Sequence, residues 1–150
     1  MKKMRFLLLL LPALMLLVAC NTNEQVGPNE LTKKEIKEGW VLLFDGETTD
    51  DFRGYGLKEF PDKGWVVEDG TLHVIGSGRG EAGGGGDIIT KKKYGNFELS
   101  LEWKVSEGGN SGIFYLAQEK VDQPIWKSAP EMQILDNERH PDAKLGVDGN

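Results

Sequence analysis

Glu131 and Gln133 stand two residues apart in the run "PEMQILD" (130 to 136), where polar and apolar residues alternate. Alternation of this kind marks a half-buried strand, so Met132 and Ile134 are expected to face the core and Glu131 and Gln133 to share the other face. Side chains at i and i+2 on a strand stand about 7 Å apart. A carboxylate and an amide at that spacing can engage two hydroxyls of one sugar ring, or set a proton acceptor beside a hydrogen-bonding partner. A plain hydrated strand face accounts for the same pattern equally well.

Directly after this run, "DNERHPD" gathers Asp136, Glu138, Arg139, His140 and Asp142 within seven residues. Mixed oxygen and nitrogen donors could hold a divalent cation, with Asp136 and His140 as ligands, and His140 could act as a general base near neutral pH. The spacing matches no defined metal motif, however, and a solvated turn beginning at Pro141 is the stronger reading.

Upstream, "EGGNSGIFY" (107 to 115) sets Asn110 and Ser111 among three glycines. Glycines let backbone approach backbone or ligand closely, and Asn110 can both donate to and accept from sugar hydroxyls; a plain hairpin loop is the alternative. Trp126 lies in the loop-like "PIWKSAP", where it could stack on a pyranose ring or cover the core. His73 sits inside an apolar run and reads as a structural, hydrogen-bonded histidine. No nucleophile is marked: there is no Gly-x-Ser-x-Gly elbow, and Ser111 has no base beside it.

The elements that must position these residues read as strands. From Trp40 onward, short runs rich in Val, Ile, Phe, Trp and Tyr are separated by Gly, Asp, Asn and Pro, without helical period. Strands are expected at 40–44, 64–68, 71–75, 87–90, 96–106, 111–117 and 131–136. Asp69-Gly70 suits a type I′ turn and makes 64–75 the strongest hairpin signal. In 96–106, Phe97, Leu99, Leu101, Trp103 and Val105 share one face, which predicts an antiparallel sheet packed on a second sheet. The Gly-rich stretch 76–87 is followed by a β run rather than a helix, so it reads as a loop and not as a phosphate cradle. Thr32 followed by Glu35 matches a capping box, and Gly39 would end the short helix it opens.

Residues 1–19 stand apart from this domain. Lys2, Lys3 and Arg5 precede an apolar run from Phe6 to Val18, shorter than the ~20 residues a membrane-spanning helix needs, and "LVAC" ending at Cys20 matches a bacterial lipobox. The expected organisation is a lipoprotein signal peptide at 1–19, a lipidated tether at 20–38 and a β domain at 39–150, anchored to the bilayer through Cys20 in the cell envelope. Cys20 is the single cysteine, so the exported domain has no internal disulfide. Removing residues 1–19 takes away three Lys/Arg and no acid, so the formal charge falls from -6 to -9. Such a surface makes nucleic acid a poor partner, and none is expected, because phosphate binding draws on Lys and Arg displacing counterions. No obligate protein partner is indicated.

"GWVLLFDGETTDDF", "GWVVEDGTLHV", "GGGGDIITKKKYGNFELSLEWKVSEGGNSGIFY" and "PEMQILDNERHPDAKLGVDGN" together resemble the 3-keto-disaccharide hydrolase domain family, over residues 39–150. The resemblance implies an all-β, antiparallel β-sandwich of the concanavalin A-like (jelly roll) type whose concave face binds carbohydrate. It also implies hydrolysis of glycosides oxidised to a ketone at carbon 3. A base, an enolate stabiliser and an acid are then required. Glu131 or His140 would move the protons, Gln133, Asn110, Arg139 and Trp126 would bind substrate, and a divalent cation near Asp136 or His140 could stabilise the enolate. The family's sequences continue beyond "GVDGN", so residues 39–150 are expected to form the N-terminal part of a larger sandwich, with marginal stability or a tendency to aggregate alone. A non-catalytic sugar-binding surface lipoprotein is the alternative function.

Overall fold

The computed structural model describes residues 26–76, 84–120 and 122–144; the expected signal peptide, Cys20 and the "GVDGN" block lie outside them. Among the described residues one short α-helix, α1 (Lys33–Glu38), precedes six strands: β1 (Phe52–Gly54), β2 (Trp65–Glu68), β3 (Thr71–Val74), β4 (Ile88–Thr90), β5 (Asn110–Phe114) and β6 (Glu131–Leu135). They form three antiparallel ladders, β1 with β4, β2 with β3 and β5 with β6. No helix of the described residues is long and apolar enough to cross a membrane.

Local chemistry sets two of these elements. At α1, the Thr32 hydroxyl accepts from the Glu35 N–H at 3.2 Å and the Glu35 carboxylate accepts from the Thr32 N–H at 2.8 Å, the reciprocal capping box expected from the sequence. Gly39 then closes the helix in the left-handed region at φ 92°. Between β2 and β3, Asp69 (φ 49°) and Gly70 (φ 70°) both lie at positive φ, as a type I′ turn demands. Trp65 and Val67 are half-buried on one face of this hairpin, while Val66, Glu68 and His73 are exposed on the other. His73 lies 3.6 Å from Glu68, a surface contact rather than a core one.

Two expected strands are not observed. Residues 40–44 carry no strand, and neither do residues 96–106. Phe97, Leu99, Leu101 and Trp103 are all exposed, at 46, 44, 44 and 53 %, so the apolar face of this segment is uncovered among the described residues. Alternation specifies which side chains share a face; it does not supply the neighbour whose amides and carbonyls complete a ladder. Conversely, β1 is formed by three residues with no periodic signal, and it exists through its pairing with β4.

The buried apolar side chains among the described residues are Pro61, Ile125 and Ile134. Ile134 projects from β6, and Ile125 opens a 3-10 turn, Ile125–Lys127, in the long connection between β5 and β6. That connection leaves β5 and returns to β6, and at its base the Tyr115 N–H donates to the Pro130 carbonyl at 3.1 Å.

Candidate active site

The β5–β6 register pairs Asn110 with Leu135, Gly112 with Gln133 and Phe114 with Glu131. Paired residues share a face, so Asn110, Gly112, Phe114, Glu131, Gln133 and Leu135 line one side, and Ser111, Ile113, Met132 and Ile134 the other. Glu131 and Gln133 are exposed while Ile134 is buried, as the alternation predicts. Met132 is the exception: it is 44 % exposed and, with Glu131 beside it, borders a largely apolar groove of about 530 Å³ with Phe97, Leu99, Leu101, Ile113 and Tyr115.

Gln133 is fixed by its neighbours. Its Nε2 donates to the Asn110 Oδ1 and, at 3.0 Å, to the Ser111 carbonyl. Both amide hydrogens are thereby used, and the Oε1 acceptor is what Gln133 offers to a ligand. Asn110 in turn donates from Nδ2 to the Asp142 carboxylate at 3.4 Å. The Asp142 N–H donates to His140 Nδ1 at 3.1 Å. A polar row thus runs from Gln133 through Asn110 and Asp142 to His140. With Nδ1 accepting, a neutral His140 carries its proton on Nε2 and presents a donor there.

Asp136, at the end of β6, is a buried acceptor. Its Oδ2 accepts from the Gly108 N–H at 2.7 Å, and its Oδ1 from the N–H groups of Glu138 and Arg139 at 3.0 and 3.3 Å. The Gly108 bond first, then those of Glu138 and Arg139, hold its carboxyl below the ordinary aspartate range against the opposing cost of burial. Arg139 lies 3.3 Å from Glu107 and 3.8 Å from Asp136, clamping the 106–109 turn to the 136–140 turn. The expected cation site at Asp136 and His140 gains no further ligand: among the described residues no three His, Cys, Asp or Glu converge as a metal site. Asp136 has both oxygens engaged by backbone, and Arg139 faces carboxylates.

The ladder brings Glu131, Gln133 and Asn110 together, and the turn adds His140 through Asp142. It does not bring Glu131 to His140. β6 spans about 13 Å from Glu131 to Leu135 at strand rise, and His140 N–H bonds the Asp136 carbonyl beyond the far end, at 3.0 Å. Trp126 is 57 % exposed beside buried Ile125, so it is not a cover over the core; its ring lies 5.4 Å from the Lys127 ammonium.

A second feature carries no local signal in the sequence. Arg53 on β1 and Glu119 beyond β5 border a groove of about 930 Å³ with Tyr55, Leu57, Lys58, Lys120 and Gln123. The Gly56 N–H also donates to Glu119, at 2.7 Å, and the Lys120 N–H donates to the Tyr55 hydroxyl at 3.2 Å. These bonds fasten the β5–β6 connection to β1.

Against this geometry, a family model described as a 3-keto-alpha-glucoside-1,2-lyase-like domain matches residues 39–148. The chain belongs to this family. A relative from Bacteroides thetaiotaomicron, named 3-keto-disaccharide hydrolase, is 55 % identical, with the match covering 75 % of this chain and 42 % of the relative. A crystal structure from Parabacteroides distasonis, provisionally named a glycosyl hydrolase, is similar with a TM-score of 0.65 at 34 % identity, over 75 % of this chain and 48 % of that one. The chain spans less than half the length of either relative. The likeness supports the fold class expected from the sequence, all-β and antiparallel of the sandwich type, and the family is the one its motifs resemble.

Proposed function

We propose that the Glu131, Gln133 and Asn110 face is this chain's contribution to an active site that cleaves 3-keto-glycosides by elimination followed by hydration. The carrying observation is the placement of a carboxylate, an oriented amide acceptor and an amide donor on one exposed face of the β5–β6 ladder. The family description names a 1,2-lyase and the curated relative a hydrolase; elimination plus addition of water amounts to hydrolysis, so one mechanism accommodates both.

A ketone at carbon 3 acidifies the hydrogen on carbon 2. Glu131 takes that proton, and the electron pair of the C–H bond becomes the enolate conjugated with the ketone. Collapse of the enolate forms the C1–C2 double bond and breaks the bond from C1 to the glycosidic oxygen, which leaves with the proton that Glu131 carried, restoring the carboxylate. Water then adds across the double bond, its oxygen to C1 and its hydrogen to C2, giving the free 3-keto sugar. Gln133 Oε1 accepts from a sugar hydroxyl, and the remaining Asn110 N–H supplies a donor for developing oxyanion charge. His140, with its N–H at Nε2, suits hydrogen-bond donation to a more distant oxygen better than proton abstraction. This divides the two candidates: Glu131 as base, His140 as hydrogen-bond donor.

Incubation of the full chain with a 3-keto-disaccharide deuterated at carbon 2 tests the reading. Release of the leaving sugar with a primary isotope effect is expected, falling about 100-fold or more in Glu131→Gln. Undiminished release by Glu131→Gln would remove Glu131 from the mechanism. We further propose that the protein is exported and lipid-anchored through Cys20, on the strength of the 1–20 sequence. Fatty-acid labelling in a bacterial host should be lost in Cys20→Ser, and persistent labelling of that variant would overturn the anchor.

A further inference from the structure

Gly112 is the residue that faces Gln133 across the ladder, one step from Glu131 on the same face. A methyl group built on its Cα would clash with the Glu131 carboxylate oxygen and would lie 2.5 and 2.6 Å from the Glu131 Cδ and Cγ. The Glu131 side chain therefore folds across β5 and occupies the space that a side chain at 112 would need. The backbone does not explain the glycine, because Gly112 is absent from the residues with positive φ and lies within a regular strand. Any L-residue could adopt its conformation. What only glycine permits here is the close approach of Glu131.

We infer that Gly112 is a positioning residue: its bare Cα is the seat that sets the Glu131 carboxylate between Asn110 and Phe114 over β5, in the orientation used for proton abstraction. A side chain at 112 would drive the carboxylate off this seat, and a displacement of about 1 Å at a reacting group can cost on the order of 100-fold in rate. The inference rests on the reading of Glu131 as the base, and it adds the requirement that the carboxylate be held across the partner strand.

Gly112→Ala, Glu131→Gln, Glu131→Ala and the combined variants, all in the full chain, separate the two ideas. With a 3-keto-glucoside, Gly112→Ala should lower kcat about 100-fold while changing KM no more than about 3-fold. Glu131→Asp placed in the Gly112→Ala background should regain about 10-fold in kcat, because the shorter acid clears the methyl. Adding Gly112→Ala to Glu131→Gln should cost little more than Glu131→Gln alone, as expected of residues acting as a unit. Thermal melts supply a readout independent of turnover: Gly112→Ala should lower Tm in the parent but leave it nearly unchanged in the Glu131→Ala background. An equal fall in both backgrounds, or a Gly112→Ala enzyme with parental kcat, overturns the inference. If Glu131→Gln stays active while the melts remain coupled, the base assignment fails and the seat survives as a structural fact only.

Discussion

Arg53 and Glu119, 66 residues apart in sequence, meet as a two-pronged ion pair, with Arg53 Nη1 and Nη2 donating to the two carboxylate oxygens at 2.6 and 2.7 Å. The Arg53 bonds first, and the Gly56 N–H after them, hold the Glu119 carboxyl down to about 2 from an ordinary 4.5. A depressed carboxyl stabilises the fold fully above its unfolded pKa, and that contribution drains away as pH falls through the folded value. The difference in Tm between the parent and Glu119→Gln should therefore be constant above about pH 5 and shrink between about pH 4.5 and 2. With both side chains partly exposed, Glu119→Gln should cost about 1–2 kcal/mol at neutral pH. A difference that does not change across the acid window would count against the pair as a source of stability.

Asp136→Asn provides a second test, this time of the turn that carries His140. The variant keeps one acceptor oxygen but turns an amide toward backbone N–H donors, so Tm should fall and the Gly108 amide should exchange faster with solvent. The sign of the pH effect follows from the lowered carboxyl: the parent loses this advantage as pH falls through the depressed value. Unchanged protection of Gly108 in Asp136→Asn would show that the carboxylate does not hold the turn.

Gln133→Glu should damage the polar row more than its small change in shape suggests. The new carboxylate would face the Asn110 Oδ1 and the Ser111 carbonyl, both acceptors, in place of two donated hydrogen bonds. The affinity for a 3-keto-glucoside, measured by calorimetry, should weaken about 10-fold or more. Parental affinity would mean that the row plays no part in sugar binding.

Gly70→Ala forces a Cβ into the left-handed position that the β2–β3 turn requires at φ 70°. A loss of about 1–2 kcal/mol is expected from denaturant unfolding, whereas Asp69→Asn should be tolerated because Asn suits the same region. A neutral Gly70→Ala would argue against the type I′ geometry.

The uncovered apolar residues of 96–106 should make the chain prone to self-association. Leu99→Glu combined with Leu101→Glu should shift sedimentation toward monomer, and an unchanged distribution would locate the sticky surface elsewhere.

These elements show which parts of the molecule were legible in the sequence. The capping box at Thr32 and Glu35 and the Asp69-Gly70 turn depend on residues at most a few positions apart, so their chemistry is written locally. The shared face of Glu131 and Gln133 follows from strand periodicity alone. The Gly112 seat required the β5–β6 register, which no local pattern states. Arg53 and Glu119 are joined only by the folded chain, and neither position is unusual by composition. The 96–106 segment shows the limit from the other side: its alternation predicts one buried and one wet face, yet apolar and polar residues alike are largely exposed, because pairing requires a neighbouring strand that alternation cannot specify. At Asp136, Arg139 and His140 the sequence showed a cluster of charge, but whether those charges point at a ligand or at backbone is decided by the turn they themselves create.

Trp126 stands on a connection held from both sides, by Glu119 against Arg53 and by the burial of Ile125, while the Ser128 hydroxyl donates to the Gln118 carbonyl at 2.8 Å and draws its two limbs together. Its indole is displayed on a braced platform rather than on a swinging arm. The backbone beneath it is already ordered before any guest arrives, so a ring settling on the indole would leave only the side chain itself to be fixed.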